Sequence, residues 1–94
     1  MSDFLHVGDV GVRIDFEVNV DINEINKAIV YYKKPDGTKG EWECNIDTDN
    51  NLVYYVTQDN DLNLKGIYKL QLYIELDKYK GRADKVELLV KDVL

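Results

Sequence analysis

Several scarcities narrow the reading before any motif is considered. Cysteine occurs once, at Cys44, so no internal disulfide can form and any sandwich fold here must hold together by packing. No apolar run approaches the roughly 18 residues of a membrane-spanning helix. The N-terminal MSDFLHVGD has neither the basic start nor the apolar core of a signal peptide. The expectation is a chain with no membrane partner, made in the cytosol. Basic residues are outnumbered, 12 Lys and Arg against 18 Asp and Glu, for a net charge of -6 and a pI near 4.6. That balance argues against a nucleic-acid partner, which would require a basic face. Histidine also occurs once, at His6. With Ser2, Thr38, Thr48 and Thr57 all expected in turns or at strand ends, no hydroxyl gains an evident base, so no catalytic residue and no enzyme is expected.

What is present is alternation. The 94 residues suffice for one domain with a single two-layer core. The stretch Ile29 to Ile46 reads as a β-hairpin whose turn chemistry is explicit. Pro35 presets φ for the first inner position of a type I turn, Asp36 suits the next, and Gly37 can take the left-handed conformation that closes a three-residue loop. Pairing Lys34 with Thr38 then sets Tyr32 opposite Gly40, Val30 opposite Trp42 and Ala28 opposite Cys44 on one face. Ile29, Tyr31, Lys33, Lys39, Glu41 and Glu43 fall on the other. A slip of one residue would turn Trp42 outward, so pattern and turn agree on one register.

Other strands follow from the same period. Asp3 to Val7 forms a short edge strand, broken by a bend at Gly8 to Gly11. Val10 to Val20 is a long half-buried strand, and Asp21 to Asn26 a connection rather than a helix. Leu52 to Thr57 places Leu52, Tyr54 and Val56 inward. Gly66 to Leu76 places Tyr68, Leu70, Leu72, Ile74 and Leu76 inward. After a hinge at Asp77 to Asp84, Lys85 to Lys91 places Val86, Leu88 and Val90 inward. Strands separated by turns, with no helical period, predict an all-β, immunoglobulin-like antiparallel sandwich of about seven strands spanning 1–94. Leu64 to Tyr68 reads as a tyrosine corner, in which Tyr68 bonds back to upstream backbone.

Ligand signals are few. Asp47-x-Asp49-x-Asn51 opens like a calcium loop, but Leu52 stands where the loop needs Gly and Gln58 where it needs Glu, so an Asx-rich turn is expected and no metal. No cofactor motif, Gly-rich phosphate loop or basic aromatic patch is evident. Cys44, between Trp42 and Ile46 on the apolar phase, reads as a small core residue rather than a reactive thiol. If the second hairpin pairs Ile46 with Leu52, then Ile29, Tyr31, Val53 and Tyr55 share one outer face of a three-strand meander. That patch is either a protein contact surface or cross-strand pairing that only stabilises the sheet. Tyr31 and Tyr55 would also suit a carbohydrate-binding sandwich.

Read in order, several pieces resemble the N-terminal domain of phage upper-baseplate proteins, the BppU N-terminal family. They are Val7-Gly8-Asp9-Val10-Gly11, Asp21-Ile22-Asn23, Lys34-Pro35-Asp36-Gly37-Thr38 with Trp42, Val53-Tyr54-Tyr55-Val56-Thr57, Asp61-Leu62 and Gly66-Ile67-Tyr68-Lys69-Leu70-Gln71. The resemblance implies an immunoglobulin-like module of a phage or prophage tail or baseplate. Such a module attaches the host-adhesion apparatus through contacts with other baseplate or tail proteins or with its own copies. Its expected location is the virion, after assembly in the bacterial cytoplasm. Family members continue into a helical or fibre-like segment, so this chain is either a small stand-alone homologue or the N-terminal domain of something longer.

Overall fold

The structure, a computed structural model, describes residues 5–83 and 85–93. Among them run nine strands: β1 (Leu5–His6), β2 (Arg13–Glu17), β3 (Lys27–Lys33), β4 (Lys39–Glu43), β5 (Asn45–Asp47), β6 (Leu52–Val56), β7 (Gly66–Glu75), β8 (Lys80–Arg82) and β9 (Val86–Lys91). The larger sheet has the order β1-β9-β7-β3-β4, with β8 paired to the far end of β7, and the smaller has the order β2-β6-β5. β1 runs parallel to β9, and every other pair is antiparallel. The result is the expected all-β, immunoglobulin-like sandwich. Part of the expected edge strand, at Asp3 and Phe4, lies outside the described residues, as does Asp84 at the end of the expected hinge.

The first hairpin forms in the register that its turn dictates. The Gly37 amide donates to the Lys34 carbonyl at 2.9 Å and the Lys34 amide to the Thr38 carbonyl at 2.8 Å. Gly37 has φ +93°, which an L side chain rarely adopts, and Asp36 Oδ1 accepts from the Thr38 amide at 2.9 Å. Val30 then pairs with Trp42 and Tyr32 with Gly40, while the Cys44 amide donates to the Ala28 carbonyl. Trp42, Val30 and Ala28 all enter the core. The tip of the hairpin is tied down as well. Lys34 Nζ donates to the Asn60 carbonyl and to Asn63 Oδ1, and Pro35 lies so close over Gly66 that a Cβ there would come within 2.9 Å of the proline ring.

The tyrosine corner is present in full. Tyr68 is fully buried on β7, and its Oη accepts from the Leu64 amide and donates to the Leu64 carbonyl, each at 3.0 Å. Tyr68, Leu70 and Leu72 form the middle of the core with Val30, Phe16, Val53, Leu62 and Val90.

The second hairpin departs from expectation. Ile46 pairs with Val53 and Asp47 with Leu52, one residue away from the register Ile46 to Leu52, because the loop closes over 48–51 with Asn51 at φ +54°. A one-residue slip exchanges the faces. Val53 and Tyr55 therefore point into the core, while Leu52, Tyr54 and Val56 take the outer face. The expected meander is also broken. After Glu43 the chain leaves the larger sheet at Cys44 and enters the smaller one at Asn45, so β4 and β5 belong to different layers.

Four further expectations change. The long strand Val10 to Val20 shrinks to Arg13–Glu17, because its one partner, β6, is itself five residues long. Upstream of β2 a bend is held by Thr57, whose Oγ1 accepts from the Val12 amide and whose carbonyl accepts from Gly11. The hinge contains the short strand β8, and Asp21 to Asn26 holds a single 3-10 turn, Ile22–Glu24, capped by Asp21 Oδ1 on the Asn23 amide. On β9 the inward phase is as expected, yet only Val90 is buried and Val86 is 45% exposed, since Val86 and Leu88 face Ile14 and Phe16 of β2 across an open cleft of about 450 Å³.

Candidate functional site

The residues expected to form one contact patch divide between the two sheets. Ile29 and Tyr31 lie on the outer face of the larger sheet, on β3. Val53 and Tyr55 lie on the inner face of the smaller one, on β6. Val53 is 0% exposed and Ile29 only 7%, whereas Tyr31 is 37% exposed. Tyr55 is held from both sides: its ring stacks on Trp42, and its Oη donates to Asp61 Oδ2. Burial and that carboxylate push the Tyr55 hydroxyl well above the usual range. The pair Tyr31 and Tyr55 therefore makes no sugar-stacking platform.

The aromatic partner of Tyr31 is Tyr73 on β7, with ring centroids 6.0 Å apart. Arg82 of β8 covers both rings, its guanidinium carbon 5.4 Å from Tyr31 and 5.3 Å from Tyr73, a geometry in which cation and ring attract. Further along the same outer face Ile67 pairs directly with Leu89, and the two are 48% and 49% exposed. Between these apolar pairs lies a basic row. Lys33 is the register partner of both Lys39 and Lys69, and Lys85 joins them around a depression of about 340 Å³ that Tyr31 and Gln71 also line. Sequence reading found no basic aromatic patch. The first hairpin already sets Lys33 against Lys39, but Lys69 arrives only through the long-range pairing of β3 with β7.

The outer face of the smaller sheet is self-contained. Arg13 bonds Asp15 at 2.6 Å and Asp47 at 2.7 Å, and its guanidinium lies 4.0 Å over the Tyr54 ring. Asp47 accepts from the Asn50 side chain and backbone as well, so both its oxygens are engaged and the stretch forms an Asx turn. Hydrogen bonds from Asn50 and Arg13 hold the Asp47 carboxyl down to about 2.

Cys44 is half-buried, and its Sγ lies 3.7 Å from the Trp42 carbonyl. Burial pushes its thiol up to about 11, so at neutral pH the nucleophilic thiolate is scarce. Among the described residues no three His, Cys, Asp or Glu side chains gather as metal ligands, and no helix is long and apolar enough to cross a membrane. His6 sits on β1, its amide bonded to Asp9. The chain matches no family model, no curated protein and no solved structure.

Proposed function

We propose that this chain is a structural module of a phage or prophage tail or baseplate, working by protein–protein contact to attach the host-adhesion apparatus. The phage assignment rests on the resemblance of its ordered motifs to the upper-baseplate N-terminal domain. One structural observation supports a contact role. The outer face of the larger sheet exposes Ile67 and Leu89 as a cross-strand pair and, across the lysine row, the Tyr31, Tyr73 and Arg82 cluster. Single exposed apolar residues are ordinary. Adjacent apolar residues, on one face with the Tyr and Arg types that concentrate at interfaces, have the composition of a contact surface.

The partners on this reading are neighbouring baseplate or tail proteins or further copies of the chain, and the place of action is the virion. The test is mass spectrometry of tail particles purified from the source strain after prophage induction. Peptides of this chain should co-purify with the particles at a fixed ratio to the major tail protein. Their absence from particles, while the chain is abundant in the same lysate, would overturn the assignment.

A further inference from the structure

Among the described residues the basic row on the larger sheet makes no ion pair, although Glu87 stands across from Lys69 at one end. Lys39, Lys33 and Lys69 stand on three adjacent strands in direct register, spanning about 10 Å at the usual strand spacing. Among the described residues, none of these three nor Lys85 lies in an ion pair. Like charges directly opposite one another weaken a sheet, and here they gather on a chain whose net charge is -6. Eighteen carboxylates were available to alternate with them. Lys33, between Lys39 and Lys69, therefore has a like charge on both sides, a cost that an anion from outside would relieve.

We propose that this row binds a short acidic segment of a partner protein, with carboxylates of that segment seated on Lys33, Lys39 and Lys69. The size limit comes from the neighbours. Glu87 is the register partner of Lys69 on its other side, β4 is the edge of the sheet, and Glu41 sits beside Tyr31 one row below. The row thus accommodates two or three negative groups. A long polyanion would run onto carboxylates at its ends and along an acidic molecule, which disfavours nucleic acid or an extended anionic polymer. Compact ammonium charges on flexible stems suit single carboxylates, whereas planar bidentate recognition of phosphate favours Arg. Ile67 and Leu89 on one side and Tyr31 on the other supply apolar contact to either end of the same segment.

This inference rests on the reading of that face as a contact surface, but not on the phage assignment. Its test is a titration of hexaglutamate into the whole chain, followed by microscale thermophoresis at low and at physiological salt, with tripolyphosphate as a second probe. Hexaglutamate should bind the wild type, more weakly at the higher salt. Affinity should fall at least tenfold in the Lys33→Ala/Lys69→Ala double variant and stay unchanged in Lys78→Ala, whose lysine lies in the exposed turn before β8. Equal loss in Lys78→Ala would reduce the effect to net charge and overturn the proposal. Tighter binding of tripolyphosphate than of hexaglutamate would assign the row to a phosphate-bearing ligand instead. Binding of neither would leave the lysines as charges that keep the sheet soluble, also against the proposal. Absence from tail particles would defeat the phage assignment while leaving this titration unaffected, so the two failures are distinguishable.

Discussion

The indole of Trp42 and the ring of Tyr55 lie face to face, with centroids 4.6 Å apart and planes within 4°, although one belongs to the larger sheet and the other to the smaller. The stack closes the sandwich just where the chain crosses between layers at Cys44, and Tyr32 extends it, 4.9 Å from Trp42 on the same strand pair. Offset and tilted aromatic pairs contribute about 0.5–1.5 kcal/mol each beyond their buried area.

Tyr55→Asp is accordingly expected to destabilise the fold by about 3 kcal/mol or more, the scale of losing a core aromatic, with a further cost for burying a carboxylate beside Asp61. Tyr31→Asp, on the exposed face, should cost far less and leave the far-UV circular dichroism unchanged. Urea titrations of both variants check this; equal midpoints would contradict the assignment of Tyr55 to the core.

Tyr68→Phe leaves the Leu64 amide and carbonyl without the hydroxyl that serves both. A loss of about 1–2 kcal/mol is expected, the usual scale for buried groups left unpaired. The urea midpoint should drop at an unchanged m-value. An unshifted midpoint would remove the corner from the stability of the fold.

Part of this architecture was legible in the sequence, and the division has physical causes. Pro35-Asp36-Gly37 admits one turn, and that turn fixes the register of β3 and β4. The corner was readable from Leu64-Lys65-Gly66-Ile67-Tyr68 because its bonding is local. The second hairpin was not, since Asp47 to Asn51 offers five polar residues, and closing over four instead of five exchanges the faces of Val53 and Tyr55. Nothing marks the layer change at Cys44, because Trp42, Cys44 and Ile46 alternate as a single strand would. The lysine row depends on pairing Lys33 with Lys69, thirty-six positions apart, which no local signal sets.

Asp47 carries a pH dependence with a definite sign. Its folded value, about 2, lies below the value of about 3.9 for an unfolded chain. Its contribution is therefore complete above about pH 4 and is lost as pH falls toward about 2. The gap in melting temperature between wild type and Asp47→Asn should be widest near neutrality and close over that acid window. A gap that stays constant from pH 6 to about pH 2 would contradict the bonding of Asp47 to Asn50 and Arg13.

Calcium should leave the melting temperature unchanged, because Asp47 is already engaged by Asn50 and Arg13 and the loop lacks the Gly and terminal Glu of a calcium site. Thermal melts in millimolar calcium and in chelator check this, and a rise of several degrees with calcium would show a site there.

Cys44 should resist thiol reagents in the folded state. Its thiol is raised to about 11 by burial, so labelling by an aromatic disulfide at mildly alkaline pH should be slow in buffer and fast in denaturing urea. Equal rates in both would contradict its burial.

On the proposed function, the outer face of the larger sheet is the surface through which the chain joins an assembly. The most direct measurement is the number of copies carried by tail particles when the chain bears Ile67→Asp and Leu89→Asp together. Both side chains are about half exposed, and exposed substitutions of this kind usually change stability by no more than about 0.5 kcal/mol each, so the melting temperature should stay close to wild type. The account predicts at least a tenfold loss of the variant from purified particles. Incorporation at the wild-type level by a variant that is demonstrably folded would contradict it.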